Sequence, residues 1–240
     1  MEIQVKNLVK RFGDKTVLDI PELEIKKGTL LGLVGNNGAG KTTLFRLILD
    51  LLKAEEGFIL SNGVDVSKSE DWKIYTGAFI DNRFLIEFLT PEEYFYFVGE
   101  TYGLNKNVVD ERLQTFGRFM NEEILGQKKY IRNFSAGNKQ KIGIIAAMMI
   151  QPEVLILDEP FNFLDPSSQI EIRNMILKLN KENQTTVLIS SHNLNYTTEI
   201  SDRVVLLEKG VVLKDRENSL EAIAELNDYF VQKAGYETAE

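Results

Sequence analysis

Short apolar runs separated by polar stretches divide this chain into strands and helices. Residues 1–8 alternate apolar and polar side chains, which is typical of a half-buried strand. Residues 17–20 and 23–25 predict two further short strands, because Pro21 between them interrupts the pattern. The apolar run 30–34 is continuous and predicts a strand that is covered on both faces.

The same pattern of covered strands returns in the second half of the chain. Residues 154–157 and 186–189 are continuous apolar runs, as in the strands of a parallel sheet. Between them, apolar side chains from Ser167 to Asn180 follow the spacing of an amphipathic helix. Residues 204–213 predict a hairpin, and the tail from Ser219 predicts a polar helix without an evident function.

A helical segment separates these two halves, from about residue 90 to residue 150. Residues 90–93 read Thr-Pro-Glu-Glu, which places a Thr N-cap, a Pro at the first helical position and a Glu at the third. The segment contains few runs of β-branched residues. We therefore predict a helical lobe that is inserted into the α/β domain.

A glycine-rich stretch follows the first covered strand and carries the most specific signal of the chain. Residues 35–42 fill every fixed position of the P-loop pattern G-x-x-x-x-G-K-[ST], between the predicted strand and a predicted helix. Its main-chain N–H groups and the helix N-terminus can hold a triphosphate, Lys41 can bridge two phosphates, and Thr42 can bind Mg²⁺. The alternative is a glycine-rich turn before an ordinary helix. The candidate nucleotide-binding residues are Gly35, Asn36, Asn37, Gly38, Ala39, Gly40, Lys41, Thr42 and Thr43.

Two acids and the only histidine of the chain follow the ends of the later apolar strands. Asp158 and Glu159 come directly after residues 154–157, and His192 follows residues 186–189. Ligands bind at this edge of a parallel sheet. Asp158 is a candidate Mg²⁺ ligand, Glu159 can accept the proton of an attacking water, and His192 can orient that water. Solvated acids and a structural histidine are the alternatives.

Residues 133–141 contain a second possible anion site. Ser135 resembles an N-cap, with free N–H groups behind it, at the start of the most apolar helix. Because one P-loop already accounts for the phosphates of one nucleotide, we predict that this segment serves the nucleotide of another molecule. An ordinary helix cap is the alternative.

Composition narrows the function classes. The net charge of −8 over 240 residues disfavours broad nucleic-acid binding, and the absence of cysteine excludes disulfides, thiolate zinc sites and thiol nucleophiles. The most apolar run, residues 144–150, is far shorter than the ~20 residues that span a bilayer. We expect a soluble chain that reaches a membrane only through a partner.

The motifs together resemble a known family. Their order is similar to that of the nucleotide-binding cassette of ABC transporters, and the resemblance covers about residues 1–214. The segments that carry it are residues 35–42, Phe134-Ser135-Ala136-Gly137-Asn138, Ile156-Leu157-Asp158-Glu159-Pro160, Asn162-Phe163-Leu164-Asp165 and Ser191-His192. The second of these, the signature segment, separates the family from other P-loop ATPases.

The resemblance implies roles for residues that the patterns alone do not explain. In the family two cassettes meet head to tail, and each ATP lies between the P-loop of one and the signature of the other. Ser135 and Gly137 are thus expected to contact the γ-phosphate of the partner's ATP. Phe12 is expected to stack on adenine, and Val17 to line the ribose and base. Asp165 is expected in the loop that crosses the dimer interface.

Three departures from the family pattern stand out. The signature reads Phe-Ser-Ala-Gly-Asn where the family usually has Leu-Ser-Gly-Gly-Gln, and it is followed by Lys-Gln-Lys. These features resemble exporter cassettes of the bacitracin and lantibiotic type. Asp81 stands where the family has a glutamine near Mg²⁺, and it is a further candidate metal ligand. Phe163 replaces a small residue in the interface loop.

Pattern and resemblance together predict an α/β fold. It is a P-loop (RecA-like), mostly parallel sheet with an N-terminal antiparallel β subdomain and an inserted helical subdomain. The predicted ATP-binding core comprises residues 1–83 and 151–215, the helical and signature subdomain residues 84–150, and the C-terminal helical tail residues 216–240.

The predicted function is that of an ATP-hydrolysing subunit of an ABC transporter, and the resemblance of the signature segment to exporter cassettes favours an exporter. The expected cofactors are ATP and Mg²⁺, and the expected catalytic residues are Lys41, Glu159 and His192. The expected partners are a membrane-spanning permease subunit and a second cassette, without nucleic acid, at the cytoplasmic face of the membrane. Candidate coupling residues are Phe84, Leu85, Phe88, Tyr94 and Phe95. The alternatives are a soluble cassette acting on ribosomes or nucleic acid, and a catalytically weak subunit paired with a different cassette.

Overall fold

The computed structural model describes residues 1–237, which form ten strands and eight α-helices. The strands are β1 Ile3–Phe12, β2 Lys15–Ile25, β3 Leu30–Val34, β4 Glu56–Ser61, β5 Val64–Asp65, β6 Thr76–Phe79, β7 Val154–Leu157, β8 Thr186–Ser191, β9 Arg203–Glu208 and β10 Val211–Glu217. The helices are α1 Lys41–Ile48, α2 Pro91–Thr101, α3 Lys106–Gln114, α4 Gly117–Met120, α5 Ala136–Met149, α6 Pro166–Asn183, α7 Leu194–Thr198 and α8 Leu220–Glu237.

Two sheets organise these elements. The larger sheet has the order β10-β9-β3-β8-β7-β6, in which every pair is parallel except β10 with β9. The smaller sheet has the order β2-β1-β4-β5 and is antiparallel throughout. The predicted fold class, with a mostly parallel sheet, an N-terminal antiparallel part and added helices, is therefore confirmed.

The larger sheet is covered by a hydrophobic core on each face. Successive side chains of a strand point to opposite faces, so each strand contributes to both cores. In β7, Leu155 and Leu157 belong to the core shared with α5, α6 and the helical segment. Val154 and Ile156 belong to the core shared with α1 and the smaller sheet. All four side chains are buried. The continuous apolar runs of the sequence thus correspond to strands between two hydrophobic layers.

The prediction of two short strands separated by Pro21 was wrong. A single strand, β2, runs from Lys15 to Ile25. It lies at the edge of its sheet and pairs only with β1, and Pro21 is exposed. Opposite this position, Asn7 of β1 has a φ of 47°, and the register of β1 with β4 shifts between Lys6 and Val9. Proline is tolerated here because edge strands and bulges do not use every N–H in the ladder.

Residues 84–150 contain four of the helices and no strand, as the sequence predicts. Thr90 caps α2: its side chain accepts a hydrogen bond from the Glu93 N–H, and the Glu93 carboxylate accepts one from the Thr90 N–H. These helices share one continuous core with the larger sheet.

The C-terminal helix α8 packs on the larger sheet. Ala222 and Leu226 are buried, and Leu226 lies in a cluster with Val34 and Leu206. The predicted tail extends to residue 240, and its last three residues lie outside the described part. Within residues 1–237, no helix is long and apolar enough to cross a membrane.

Candidate nucleotide-binding site

The glycine-rich loop lies between β3 and α1, as the P-loop pattern predicts. Gly38 and Gly40 have φ values of 81° and 110°, which side-chain-bearing residues rarely adopt. A Cβ on Gly40 would lie 2.7 Å from Leu18 Cδ2, whereas one on Gly38 would meet nothing within 4 Å. The loop is therefore closed on its β2 side and open at Gly38. The N–H of Gly210, in the β9–β10 turn, supports it by donating to the Ala39 carbonyl at 2.9 Å.

Lys41 is folded back over this loop. Its Nζ donates to the Gly35 carbonyl at 2.6 Å and lies 3.5 Å from Oε1 of Glu159. The Lys41 side chain is only 6% exposed, so this ammonium group depends on these oxygens. A triphosphate in the loop would offer oxygens to the same ammonium group.

Thr42 and Asp158 form a pair of oxygen ligands next to Lys41. The Thr42 hydroxyl donates to one carboxylate oxygen of Asp158, and the Ser190 hydroxyl donates to the other. Burial raises the pKa of Asp158, and the charge of Glu159 raises it further, while the two hydroxyl hydrogen bonds oppose the rise. A hydroxyl and a carboxylate are the hard oxygen ligands that Mg²⁺ prefers, so this pair fits the ion.

Glu159 and His192 meet at the ends of the neighbouring strands β7 and β8. Oε2 of Glu159 lies 2.8 Å from Nδ1 of His192. The backbone of Glu159 has a φ of 49°, and its N–H donates to the Ser190 hydroxyl at 2.9 Å. The structure thus brings Lys41, Asp158, Glu159 and His192 together with the P-loop, as expected from the strand ends.

The signature segment begins helix α5. Ser135 is the N-cap and its hydroxyl accepts a hydrogen bond from the Asn138 N–H at 3.2 Å. Ser135 is exposed, so it remains accessible to a ligand from outside this chain. A Cβ on Gly137 would lie 2.6 Å from the main-chain oxygen of Phe163, which explains a glycine at this position.

A family model described as "ABC transporter" matches residues 18–162, which include the P-loop, the signature and the two acids. The chain belongs to the ABC transporter family. It is an ATP-binding cassette, and cassettes of this family are ATPases.

Curated relatives of the chain differ in the transport that their names state. The bacitracin transport ATP-binding protein BcrA of Enterococcus faecalis is 35% identical over 89% of this chain and 68% of its own length. A probable sulfate/thiosulfate import ATP-binding protein, CysA, of Chlorella vulgaris is 31% identical over 89% of this chain and 90% of its own length.

Solved structures agree with the fold. An ATP-binding subunit of an ABC transporter has a TM-score of 0.85 with 27% identity, covering 97% of this chain and 99% of that chain. The cassette MJ0796, in a dimeric post-hydrolysis state with ADP and Pi, has a TM-score of 0.80 with 22% identity. The match covers 90% of this chain and 99% of that chain. At that identity the second match supports the fold alone.

The two residues expected to contact the base of ATP lie on β1 and β2 of the cassette. Phe12 is 52% exposed, and its ring lies under Lys10 Nζ at 5.1 Å from the centroid. Val17 is half-buried, and its carbonyl is close to the P-loop: a Cβ on Gly40 would lie 3.2 Å from it. An exposed ring is free to stack on a base. The roles of Phe12 and Val17 remain predictions.

Asp81 occupies the loop after β6, next to β7. It caps a short 3₁₀ turn, and its carboxylate binds the Arg83 side chain through Nε at 2.9 Å and Nη2 at 2.6 Å. The hydrogen bond from Arg83 lowers the pKa of Asp81, and burial opposes this effect. Its role as a metal ligand remains a prediction, and a metal would compete with Arg83 for the carboxylate.

Two polar residues of the site were not singled out from the sequence. Ser190 contacts both Asp158 and the N–H of Glu159. Gln140, one turn after Gly137 in α5, donates from Nε2 to the Glu159 carbonyl at 3.2 Å. The position of Ser190 at the end of β8 was a usable signal, because β8 lies beside β7. Nothing in the sequence pattern indicates the contact of Gln140.

Proposed function

We propose that this cassette is the energising subunit of a transporter, and that it hydrolyses MgATP to drive a separate membrane-spanning subunit. The observation that carries the proposal is the convergence of Lys41, Asp158, Glu159 and His192 at the open P-loop. These groups supply the positive charge, metal ligands and proton acceptor that phosphoryl transfer to water requires.

The proposed chemistry assigns one role to each group. Thr42 and Asp158 would hold Mg²⁺, which neutralises charge on the phosphate oxygens when bound. Lys41 leaves the Gly35 carbonyl and pairs with the β- and γ-phosphates. Once Lys41 has turned towards phosphate, Glu159 loses its cationic neighbour and is free to accept a proton from water. His192, held by Glu159, orients that water or the γ-phosphate.

A second cassette completes the proposed site. Ser135 is exposed at the start of α5, and Phe163 and Ile170 are large apolar side chains that are 69% and 54% exposed. Asp165 caps α6 between them. This surface suits a head-to-tail dimer in which the signature of one cassette contacts the nucleotide of the other.

The proposed contact with the permease subunit lies beside the helical segment. A groove of about 320 Å³ is lined by Leu51, Trp72, Ile80 and Phe84, among others. Phe84 and Phe88 of the predicted coupling residues are exposed and available for contact. The other three predicted coupling residues are less suited: Leu85 and Phe95 are buried in the core, and Tyr94 packs against it.

We further propose that the direction of transport is export. The signature Phe-Ser-Ala-Gly-Asn and the similarity to BcrA support export, whereas CysA is an import protein. Export and import are distinguished by reconstituting the purified complex into vesicles so that the cassettes lie on the outer surface. ATP-dependent accumulation of cargo inside such vesicles supports export, and ATP-dependent release from preloaded vesicles establishes import.

ATP hydrolysis is tested with the full chain and two lysine variants. We expect Mg²⁺-dependent phosphate release by the wild type and its loss in Lys41→Ala, because the Lys41 ammonium group lies against the loop, 2.6 Å from the Gly35 carbonyl. Lys178→Ala is the matched control, since Lys178 is exposed on α6. Equal activity in Lys41→Ala and the control would refute the proposed mechanism.

The transport assignment is tested by purifying the tagged chain from gently solubilised membranes of its native cell. A stoichiometric multi-span membrane protein supports the proposal. Ribosomal or DNA-bound partners without a membrane protein would overturn it, and would favour a non-transport cassette instead.

A further inference from the structure

The first two turns of α5 lie directly on the loop that follows β7. At Gly137 the helix and the loop are so close that a Cβ would lie 2.6 Å from the main-chain oxygen of Phe163. One turn later, Nε2 of Gln140 donates to the main-chain oxygen of Glu159 at 3.2 Å. Positions three apart share one face of a helix, so the signature segment and Gln140 present the same face to this loop.

Gln140 is buried, with only 5% of its surface exposed. A buried amide requires hydrogen-bond partners, because it has lost those that water would supply. The Glu159 carbonyl is the partner that the structure provides. Gln140 therefore has a defined orientation, and its amide is aimed at the backbone of the residue proposed as the proton acceptor.

The backbone of Glu159 is held from both sides of its Cα. Its φ of 49° is in the left-handed region, which residues with a Cβ populate rarely and which persists only when the surroundings enforce it. The Ser190 hydroxyl accepts from its N–H at 2.9 Å, and Gln140 donates to its carbonyl. Because φ and ψ lie between these two groups, the two hydrogen bonds together fix the direction of the Cα–Cβ bond.

We propose that Gln140 is a positioning residue for Glu159. By holding the Glu159 carbonyl, it keeps the strained backbone in place and the carboxylate directed between Lys41 and His192. Gln140 acts through its hydrogen bond to this carbonyl. Its effect is on the geometry of proton transfer, which loses efficiency steeply when the acceptor moves by about 1 Å.

The position of Gln140 also connects two different nucleotide sites. This part of the inference rests on the proposed function, in which Ser135 and Gly137 contact the nucleotide held by the second copy. Gln140 lies on the same helix as Ser135 and Gly137. If the signature segment moves when it contacts the nucleotide of the second copy, Gln140 moves with it. That movement reaches Glu159, which acts on the nucleotide bound by its own cassette. One hydrogen bond thereby links the occupancy of one site to the proton acceptor of the other.

The test replaces Gln140 by methionine in the full chain. Methionine keeps the unbranched length of the side chain but cannot donate a hydrogen bond. Gln169→Met is the matched control, because Gln169 donates to the carbonyls of Phe161 and Leu164 in the same loop, both at 3.2 Å, without contacting Glu159. Steady-state phosphate release, binding of a fluorescent ATP analogue, ATP-dependent dimerisation and thermal unfolding are measured for each protein.

We expect Gln140→Met to lower kcat at least tenfold while KM, nucleotide binding and dimerisation stay within about twofold of wild type. Gln169→Met should retain kcat within about threefold. A kcat of Gln140→Met that matches the control would overturn the inference, as would a raised KM at unchanged kcat. If Gln140→Met does not fold, Gln140→Asn is judged by the same criteria, since its amide is one bond too short to reach the carbonyl.

The wild type separates this inference from the function on which it rests. A wild-type chain that neither hydrolyses ATP nor dimerises with it overturns both. A wild type that does both, with Gln140→Met equally active, leaves the proposed function standing and removes only the role of Gln140.

Discussion

Replacing Glu159 by glutamine changes the charge of the site with almost no change in volume. In the wild type, Oε1 of Glu159 lies 3.5 Å from Lys41 Nζ and Oε2 lies 2.8 Å from His192 Nδ1. The amide of Glu159→Gln can still form a hydrogen bond with the histidine ring, whose tautomer adapts to either amide atom. It cannot accept a proton from water. Activity should therefore fall while the architecture of the site is retained.

The expected loss of activity follows from the role of a general base. Such a group contributes about 10²–10⁴-fold to a rate, which corresponds to about 3–5 kcal/mol of activation free energy. The effect on folding stability should be much smaller, because two changes oppose each other. Lys41 loses a charged neighbour but keeps the Gly35 carbonyl, whereas Asp158, whose pKa is raised mainly by burial, loses the like charge that raises this pKa further. We expect a net change below about 1 kcal/mol, or about 2–4 °C in Tm.

The assay compares wild type, Glu159→Gln and a control variant, Glu182→Gln, which makes the same substitution at an exposed position of α6. Phosphate release at saturating MgATP gives kcat, and a fluorescent ATP analogue gives nucleotide affinity. Glu159→Gln should bind nucleotide as tightly as the control with a kcat at least a hundredfold lower. A kcat above about one tenth of wild type would show that another group accepts the proton.

Three further substitutions test the fold that surrounds the site. Gly143→Ala would place a Cβ 2.0 Å from the buried ring of Phe79. We expect the free energy of unfolding to fall by about 1–3 kcal/mol, with a lower Tm in calorimetry. Gly117→Ala is the control and should not lower Tm, because a Cβ there would meet nothing within 4 Å. Burial, and secondarily the charge of a nearby tyrosine, raises the pKa of Tyr94 to about 12 from its ordinary 10.0. As pH rises, the Tyr94 hydroxyl therefore loses its proton in the unfolded chain before it does so in the folded protein, and folding stability falls from about pH 10 towards pH 12. Over that range the Tm of Tyr94→Phe, which has no such proton, should fall less than the Tm of the wild type. Asp165→Ala removes the N-cap of α6, and denaturant unfolding should show a loss of about 0.5–2 kcal/mol; an unchanged midpoint would contradict the capping role.

Buried Gln140 shows how a residue outside the recognised motifs can matter for them. Between the signature glycine and the apolar part of α5, the sequence offers only a polar residue in a Lys-Gln-Lys run. In the fold this residue is the one that reaches the backbone of Glu159. The signature helix and the loop after β7, which carries Glu159, are thus joined by a direct hydrogen bond.

Local sequence patterns were enough to predict most of the elements and to select the candidate site residues, whose roles stay predictions. The P-loop is read from contiguous residues because the glycines, Lys41 and Thr42 act through their spacing along the chain. The covered strands are readable because burial on both faces demands continuous apolar runs. Asp158, Glu159 and His192 followed from one geometric rule, that parallel strands end at a common edge. The hydrogen bond between Thr42 and Asp158 agrees with that rule.

Contacts between distant segments could be decided only by the tertiary structure. Pro21 lies inside β2 because that strand is an edge strand, which depends on the partners of the whole sheet. Asp81 pairs with Arg83 because the loop after β6 turns back on itself. Ser190 and Gln140 hold Glu159 because strand order and helix packing bring them to one backbone unit. Such contacts cannot be predicted from the spacing of residues along the chain, because they depend on how the sheets and helices pack and not on a local pattern.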